Sequence, residues 1–81
     1  MVERNLSDLE PGDTCKVTHV GGSGGERRRM MDMGIVRGSR IEVVRKAPMG
    51  DPVEFLLRGY NLTLRKEEAE VIRVEVKEEG G

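Results

Sequence analysis

The sequence predicts a small, mainly β protein: five short strands closed into a barrel, with one short α-helix after the first strand. Three observations carry this. Runs of alternating apolar and polar residues recur between Thr14 and Val76, separated by Gly, Pro and Asn turn chemistry. One stretch, "GGSGGERRRMMDMG" (21–34), breaks that period and carries the caps of a helix. Finally, 81 residues with one Phe, one Tyr and no Trp must build their core from Val, Leu, Ile and Met. A sheet that small protects its edges by closing on itself.

The elements follow in order. "NLSDLEPGD" contains Ser7-x-x-Glu10, the spacing of a capping box, and Pro11-Gly12 stops any helix after one turn. Leu6 and Leu9 then pin the N-terminus to the core. "TCKVTHV" (14–20) reads as a strand with Cys15, Val17 and His19 on one face. Ser23-x-x-Glu26 is a second capping box and starts a helix over about 24–33. Gly34 supplies a left-handed C′ residue, and Ile35 packs back on Met30. In "VRGS" (36–39), Gly38 occupies the turn position that needs positive φ.

"SRIEVVRK" (39–46) is a strand with Ile41 and Val43 on one face, and "APMGDP" (47–52) is loop. "VEFLLR" (53–58) and "NLTLR" (61–65) form a hairpin around Gly59-Tyr60, read as a type II′ turn. That register sets Leu57 opposite Leu62, Phe55 opposite Leu64 and Glu54 opposite Arg65. "KEEAE" (66–70) allows one helical turn. "VIRVEV" (71–76) is the closing strand, with Ile72, Val74 and Val76 inward. Residues 1–76 form one domain and 77–81 a frayed tail.

Chemistry is sparse. A phosphate loop needs a Lys after its last Gly, and none follows these glycines. At about 100° per residue, Arg27, Arg28 and Arg29 fan around the helix rather than forming one face. With a formal net charge of −1 and no row of aromatics, nucleic acid is not the expected partner. Met30 and Met33 fall on one side as core. Cys15 and His19 are the two candidate metal ligands. Four strand residues span about 13 Å, however, so the pair cannot share one ion whose ligands lie within about 2.3 Å. Either would need carboxylates from elsewhere to hold a divalent metal. One Cys and one His give no nucleophile–base set, so no enzyme is expected. The lone Cys15 and the lack of a signal peptide or membrane-length apolar run point to a cytoplasmic chain that does not span the membrane. Charge is segregated: residues 26–46 hold seven cations against three carboxylates, and 66–79 hold three cations against six.

"LSDLEPGDTCKVTHV", "ERRRMMDMGIVRGSRIEVVRKAPMGDPVEF" and "RGYNLTLRKEEAEVIRV" together resemble the FeoA family over about residues 6–76. Met30, Met31 and Met33 stand where Leu is common in the family, and Arg37 where Pro is common. The resemblance implies an SH3-like barrel, shared with the C-terminal domain of diphtheria-toxin-repressor-type regulators. The absence of a winged-helix segment implies the stand-alone protein. FeoA proteins are cytosolic partners of FeoB, the bacterial ferrous iron permease with a GTP-binding domain. The implied function is therefore an accessory, protein-interaction role in ferrous iron uptake, with no tightly bound cofactor. Arg27, Arg28, Met31 and Tyr60 are the residues expected to meet the partner. The alternative is a protein that delivers or senses metal, holding Fe2+ or Zn2+ weakly, as in the repressor domains.

Overall fold

The first strand is one that the sequence pattern does not announce. In the computed structural model, which describes residues 2–77, β1 (Val2–Asn5) lies antiparallel to the last strand, β6 (Ile72–Val76). Its sequence, VERN, carries no apolar alternation. It forms because it completes an edge, with Val2 opposite Val76 and Asn5 opposite Arg73. The described residues thus form six strands where the sequence suggested five. The expected frayed tail lies, from residue 78 onward, outside the described residues.

Leu6–Asp8 then makes one 3-10 turn capped by Asn5. Asn5 Oδ1 accepts from the Ser7 amide at 3.0 Å and from the Ser7 hydroxyl at 2.6 Å. The expected Ser7–Glu10 box does not form, because the turn ends at Leu9 before Glu10 becomes helical. Glu10 instead pairs with Lys46 at 2.6 Å. Leu6 and Leu9 are buried as anchors.

The remaining elements are β2 (Thr14–Val20), α1 (Gly24–Asp32), β3 (Arg40–Lys46), β4 (Val53–Leu57), β5 (Tyr60–Leu64) and the one-turn α2 (Lys66–Ala69). The antiparallel order is β1-β6-β2-β3-β4-β5. One face of every strand from β2 to β6 feeds a single cluster that includes Val17, Ile41, Val43, Phe55, Leu57, Leu64, Ile72 and Val74. A flat sheet of six strands could not gather those residues, so the sheet curls. Two bulges help it bend, one between Val17 and His19 and one between Val43 and Arg45. Leu6, Leu9, Met30, Ile35 and Ala69 fill the core from the connections. Ser39, the only buried polar residue among those described, is fully used. Its hydroxyl donates to the Gly34 carbonyl at 2.9 Å and accepts from the Val36 amide at 3.0 Å.

The β4–β5 hairpin departs from the expected register. Leu57 lies opposite Tyr60, Phe55 opposite Leu62, and Val53 opposite Leu64. The loop is Arg58-Gly59, with φ of +52° and +84°, so both central residues are left-handed as a type I′ turn requires. That turn matches the twist of the flanking strands. Each residue's partner moves by two, which preserves the inward faces. Glu54 therefore meets Thr63, not Arg65. Its carboxylate is held below the ordinary range, first by the Asn61 amide and then by Arg45, which it meets at 3.2 Å.

Candidate functional site

The helix α1 forms as its caps dictate. Ser23 Oγ accepts from the Glu26 amide, and Glu26 Oε1 accepts from the Ser23 amide, each at 3.2 Å. At the other end the Ile35 amide reaches the Met30 carbonyl and the Gly34 amide reaches the Met31 carbonyl, both at 2.9 Å. These two bonds make a Schellman motif, with Gly34 at φ +92°. Met30 is buried and Met33 half-buried against the core. The methionines thus divide as their helical angles require.

The outward side of α1 carries three of the four expected contact residues. Arg27, Met31 and Arg28 fall within an arc of about 100°, and all three are exposed, Met31 to 53%. Arg29 points elsewhere and closes a 2.6 Å ion pair with Glu68, in α2. Glu68 also accepts from the Arg65 amide at 2.8 Å, capping that short helix. Among the described residues, Arg27 and Arg28 make no ion pair.

Tyr60, the fourth expected contact residue, sits at the C-terminal end of α1. It starts β5 rather than forming the hairpin tip, and it is 45% exposed. Its hydroxyl donates to the Met33 carbonyl, one of the acceptors left open at the end of α1. The hairpin is therefore tied to the C-terminal end of the helix. The role of Tyr60 as a tie escaped sequence reasoning because the turn was placed one residue late. Gly59 as the second central residue of a type I′ turn was the available signal.

The two candidate metal ligands separate. Cys15 is buried, and its thiol donates to the Ile41 carbonyl at 3.5 Å. Burial pushes that thiol up to about 12, so it stays protonated at neutral pH. His19 is exposed. The bulge at Thr18 reverses the alternation of β2, so His19 faces Arg73 and Val20 faces the buried Ile72. The expectation that Cys15 and His19 share a face is thereby corrected. Among the described residues, no group of three or more His, Cys, Asp or Glu side chains is gathered as metal ligands.

Comparison with known proteins agrees with this architecture. Residues 4–76 match the FeoA domain. A fusion protein of Fe(2+) transport protein A and the Fe(2+) transporter FeoB from Porphyromonas gingivalis is 44% identical over 71 residues. The match takes in 88% of this chain but only 8% of that protein. The solution structure of a FeoA-like protein from Clostridium acetobutylicum is 47% identical, with a TM-score of 0.88 over 98% of this chain and 92% of the other. FeoA from Stenotrophomonas maltophilia, an SH3-domain protein solved with zinc and suggested to activate ferrous iron transport, is 27% identical. Its TM-score is 0.75, over 86% of this chain and 87% of that one. A manganese-dependent transcriptional repressor, 22% identical with a TM-score of 0.86, shares the fold over 37% of its length.

Proposed function

We propose, for a chain that belongs to the FeoA family, an accessory cytoplasmic role in ferrous iron uptake, exerted as a protein-interaction module on a FeoB-type permease. The observation that carries this reading is the relative in which a domain 44% identical to this chain is joined to the transporter FeoB in one polypeptide. Covalent joining holds a domain beside its partner at high effective concentration. No helix of the described residues is long and apolar enough to cross a membrane, so the membrane-spanning work falls to the permease. No chemical step is assigned to this chain.

The contact surface in this reading is Arg27, Arg28, Met31 and Tyr60. Three features support it. Arg, Met and Tyr are enriched in interface cores. The backbone presenting them is fixed by the helix caps and by the Tyr60–Met33 bond, so little order is lost on docking. The two arginines have no ion pair to break among the described residues. Co-purification with the permease tests it, comparing wild type with a variant carrying Arg28→Glu and Met31→Asp. Loss of recovery with an unchanged circular dichroism spectrum is expected; equal recovery removes this surface from the contact.

A metal-handling role is the second reading, favoured by the zinc in the Stenotrophomonas maltophilia protein. In this chain it rests on His19, the exposed member of the candidate pair. Anaerobic calorimetry with Fe2+ and with Zn2+ separates the readings. Sub-micromolar binding abolished by His19→Ala favours metal handling, and heat indistinguishable from dilution favours the interaction module.

A further inference from the structure

The outer face of the curled sheet holds a groove of about 480 Å³, with no α1 residue in its lining. Two cross-strand rows line it. The first runs Glu75, Lys16, Arg40 in direct register across β6, β2 and β3. Arg58 continues it, since Leu57 faces Ile41 and Arg58 is the next residue toward Arg40. The second row contains Lys77, Thr14, Glu42 and Leu56, with Thr14 opposite Glu42 and Glu42 opposite Leu56.

The first row is electrostatically unbalanced. Like charges set directly opposite each other repel, yet Lys16 faces Arg40, and Arg40 is followed by Arg58. Glu75 offsets one of these cations and Glu42 lies diagonally off the row. Four cations thus line the groove against two carboxylates. Among the described residues, none of the six forms an ion pair.

Arg58 adds an independent observation. It is the only non-glycine residue with positive φ among those described, at +52°. Asn, Asp and Gly are the usual residues at the first centre of a type I′ turn. An arginine there is held against backbone preference, and its placement puts a guanidinium at the end of the groove.

We propose that this groove receives an extended acidic peptide segment of a protein partner. Adjacent strands lie about 4.8 Å apart, so the row from Lys16 to Arg58 spans about 10 Å. Alternate residues of an extended peptide project on one face about 6.8 Å apart. Two such carboxylates fall between Lys16 and Arg40 and between Arg40 and Arg58. Guanidinium forks bind carboxylates in bidentate fashion. Leu56, half-buried on the second row beside Arg58, offers apolar floor to a third side chain on that face. A bare phosphate would use neither the length of the row nor Leu56. None of Arg27, Arg28, Met31 and Tyr60 lines this groove, although Tyr60 follows its Gly59, so failure of the proposal leaves the permease reading intact, and the reverse also holds.

Fluorescence anisotropy of the full chain, with the labelled peptide Asp-Ser-Asp-Ser-Leu at low ionic strength, tests the proposal. Saturable binding is expected, weakened about three- to fivefold by Arg40→Gln and by Arg58→Gly, and lost with Asn-Ser-Asn-Ser-Leu. Arg58→Gly relieves the left-handed residue, so it retains the fold while losing the charge. Arg37→Gln, exposed and outside the groove lining, is expected to leave the affinity unchanged. Equal affinity in wild type and both groove variants overturns the proposal. So does the absence of saturation below about 1 mM. Displacement by inorganic phosphate at the peptide's own concentration also overturns it, assigning the groove to small anions.

Discussion

Replacing Gly34 by Ala isolates the joint between α1 and the β4–β5 hairpin. Gly34 has φ +92°, and a β-carbon there lies 3.3 Å from the Tyr60 hydroxyl oxygen and 3.5 Å from Leu57 Cδ2. The left-handed conformation alone costs an alanine about 1–2 kcal/mol. The 3.3 Å approach is too close for comfort, and Leu57, fully buried, cannot retreat. Tyr60 must yield, which lengthens or breaks its bond to the Met33 carbonyl, at a further cost of about 0.5–1.5 kcal/mol. Gly34→Ala should therefore destabilise by about 2–3 kcal/mol. Gly38→Ala is the control: its φ is +93°, but an added β-carbon meets nothing within 4 Å. It should show the backbone cost alone. Urea unfolding followed by circular dichroism measures the gap, expected near 1 kcal/mol, or about 4–8 °C in Tm for a domain this size. In a Tyr60→Phe background the hydroxyl is gone and the gap should close. Gly34→Ala no costlier than Gly38→Ala, or a gap that survives Tyr60→Phe, would refute the reasoning.

Further outcomes are expected. Met30→Ala, at a position 1% exposed, should cost about 2–4 kcal/mol in urea unfolding. Met31→Ala, one residue on and 53% exposed, should stay within about 0.5 kcal/mol of wild type. Glu68→Ala should cost more than Arg29→Ala, because Glu68 loses both a helix cap and an ion pair whereas Arg29 is largely exposed; unfolding of the two variants side by side checks the order. The Cys15 thiol holds its proton to about 12 in the folded chain against an ordinary value of 9.0, so the unfolded chain binds fewer protons between those values. Stability should fall as pH rises through that window, with a shallower slope in Cys15→Ala, and native Cys15 should resist alkylation at pH 8 until the chain is unfolded.

What the sequence made legible was whatever local chemistry decides. The Ser23–Glu26 box, the Gly34 stop and the Gly38 turn each depend on residues within four positions, and all three stand in the structure. The inward residues of β3, β4 and β6 followed from period two for the same reason. Apart from the Ser7–Glu10 box, a local signal that fails because the turn ends at Leu9, the misreadings involve non-local choices. β1 has no pattern of its own and exists through β6. The hairpin register depended on which of two turns, each containing Gly59, best fitted strand twist and left Tyr60 free to reach Met33. The bulge at Thr18 has no marker such as glycine, and one inserted residue was enough to turn His19 outward. Of the candidate site, the exposed arc of α1 was readable from helical angles. Its junction with Tyr60 was not, because that is a contact between residues 27 positions apart in the chain.

The run Arg27-Arg28-Arg29 looks like one basic feature in sequence, but the fold gives its members different work, and this decides how the partner surface can be probed. Arg29 spans from α1 to Glu68, whose other carboxylate oxygen caps α2. Glu68 is the more buried of the two, its side chain 13% exposed, so leaving it unpaired disturbs the packing of α2. A change at Arg29 thus acts through the fold, and lost capture of a permease by an Arg29 variant carries no information about contact. Arg27 and Arg28 have no ion pair among the described residues, so their reversal alters the surface field while leaving the packing in place. The expected signature of a docking role is therefore split. Arg28→Glu should slow association and make it less sensitive to salt without moving the unfolding midpoint. Arg29→Glu should lower that midpoint whether or not a partner is present. If both variants lower the midpoint equally, the division of the arginine run fails, and with it the case for placing the contact on this face of α1.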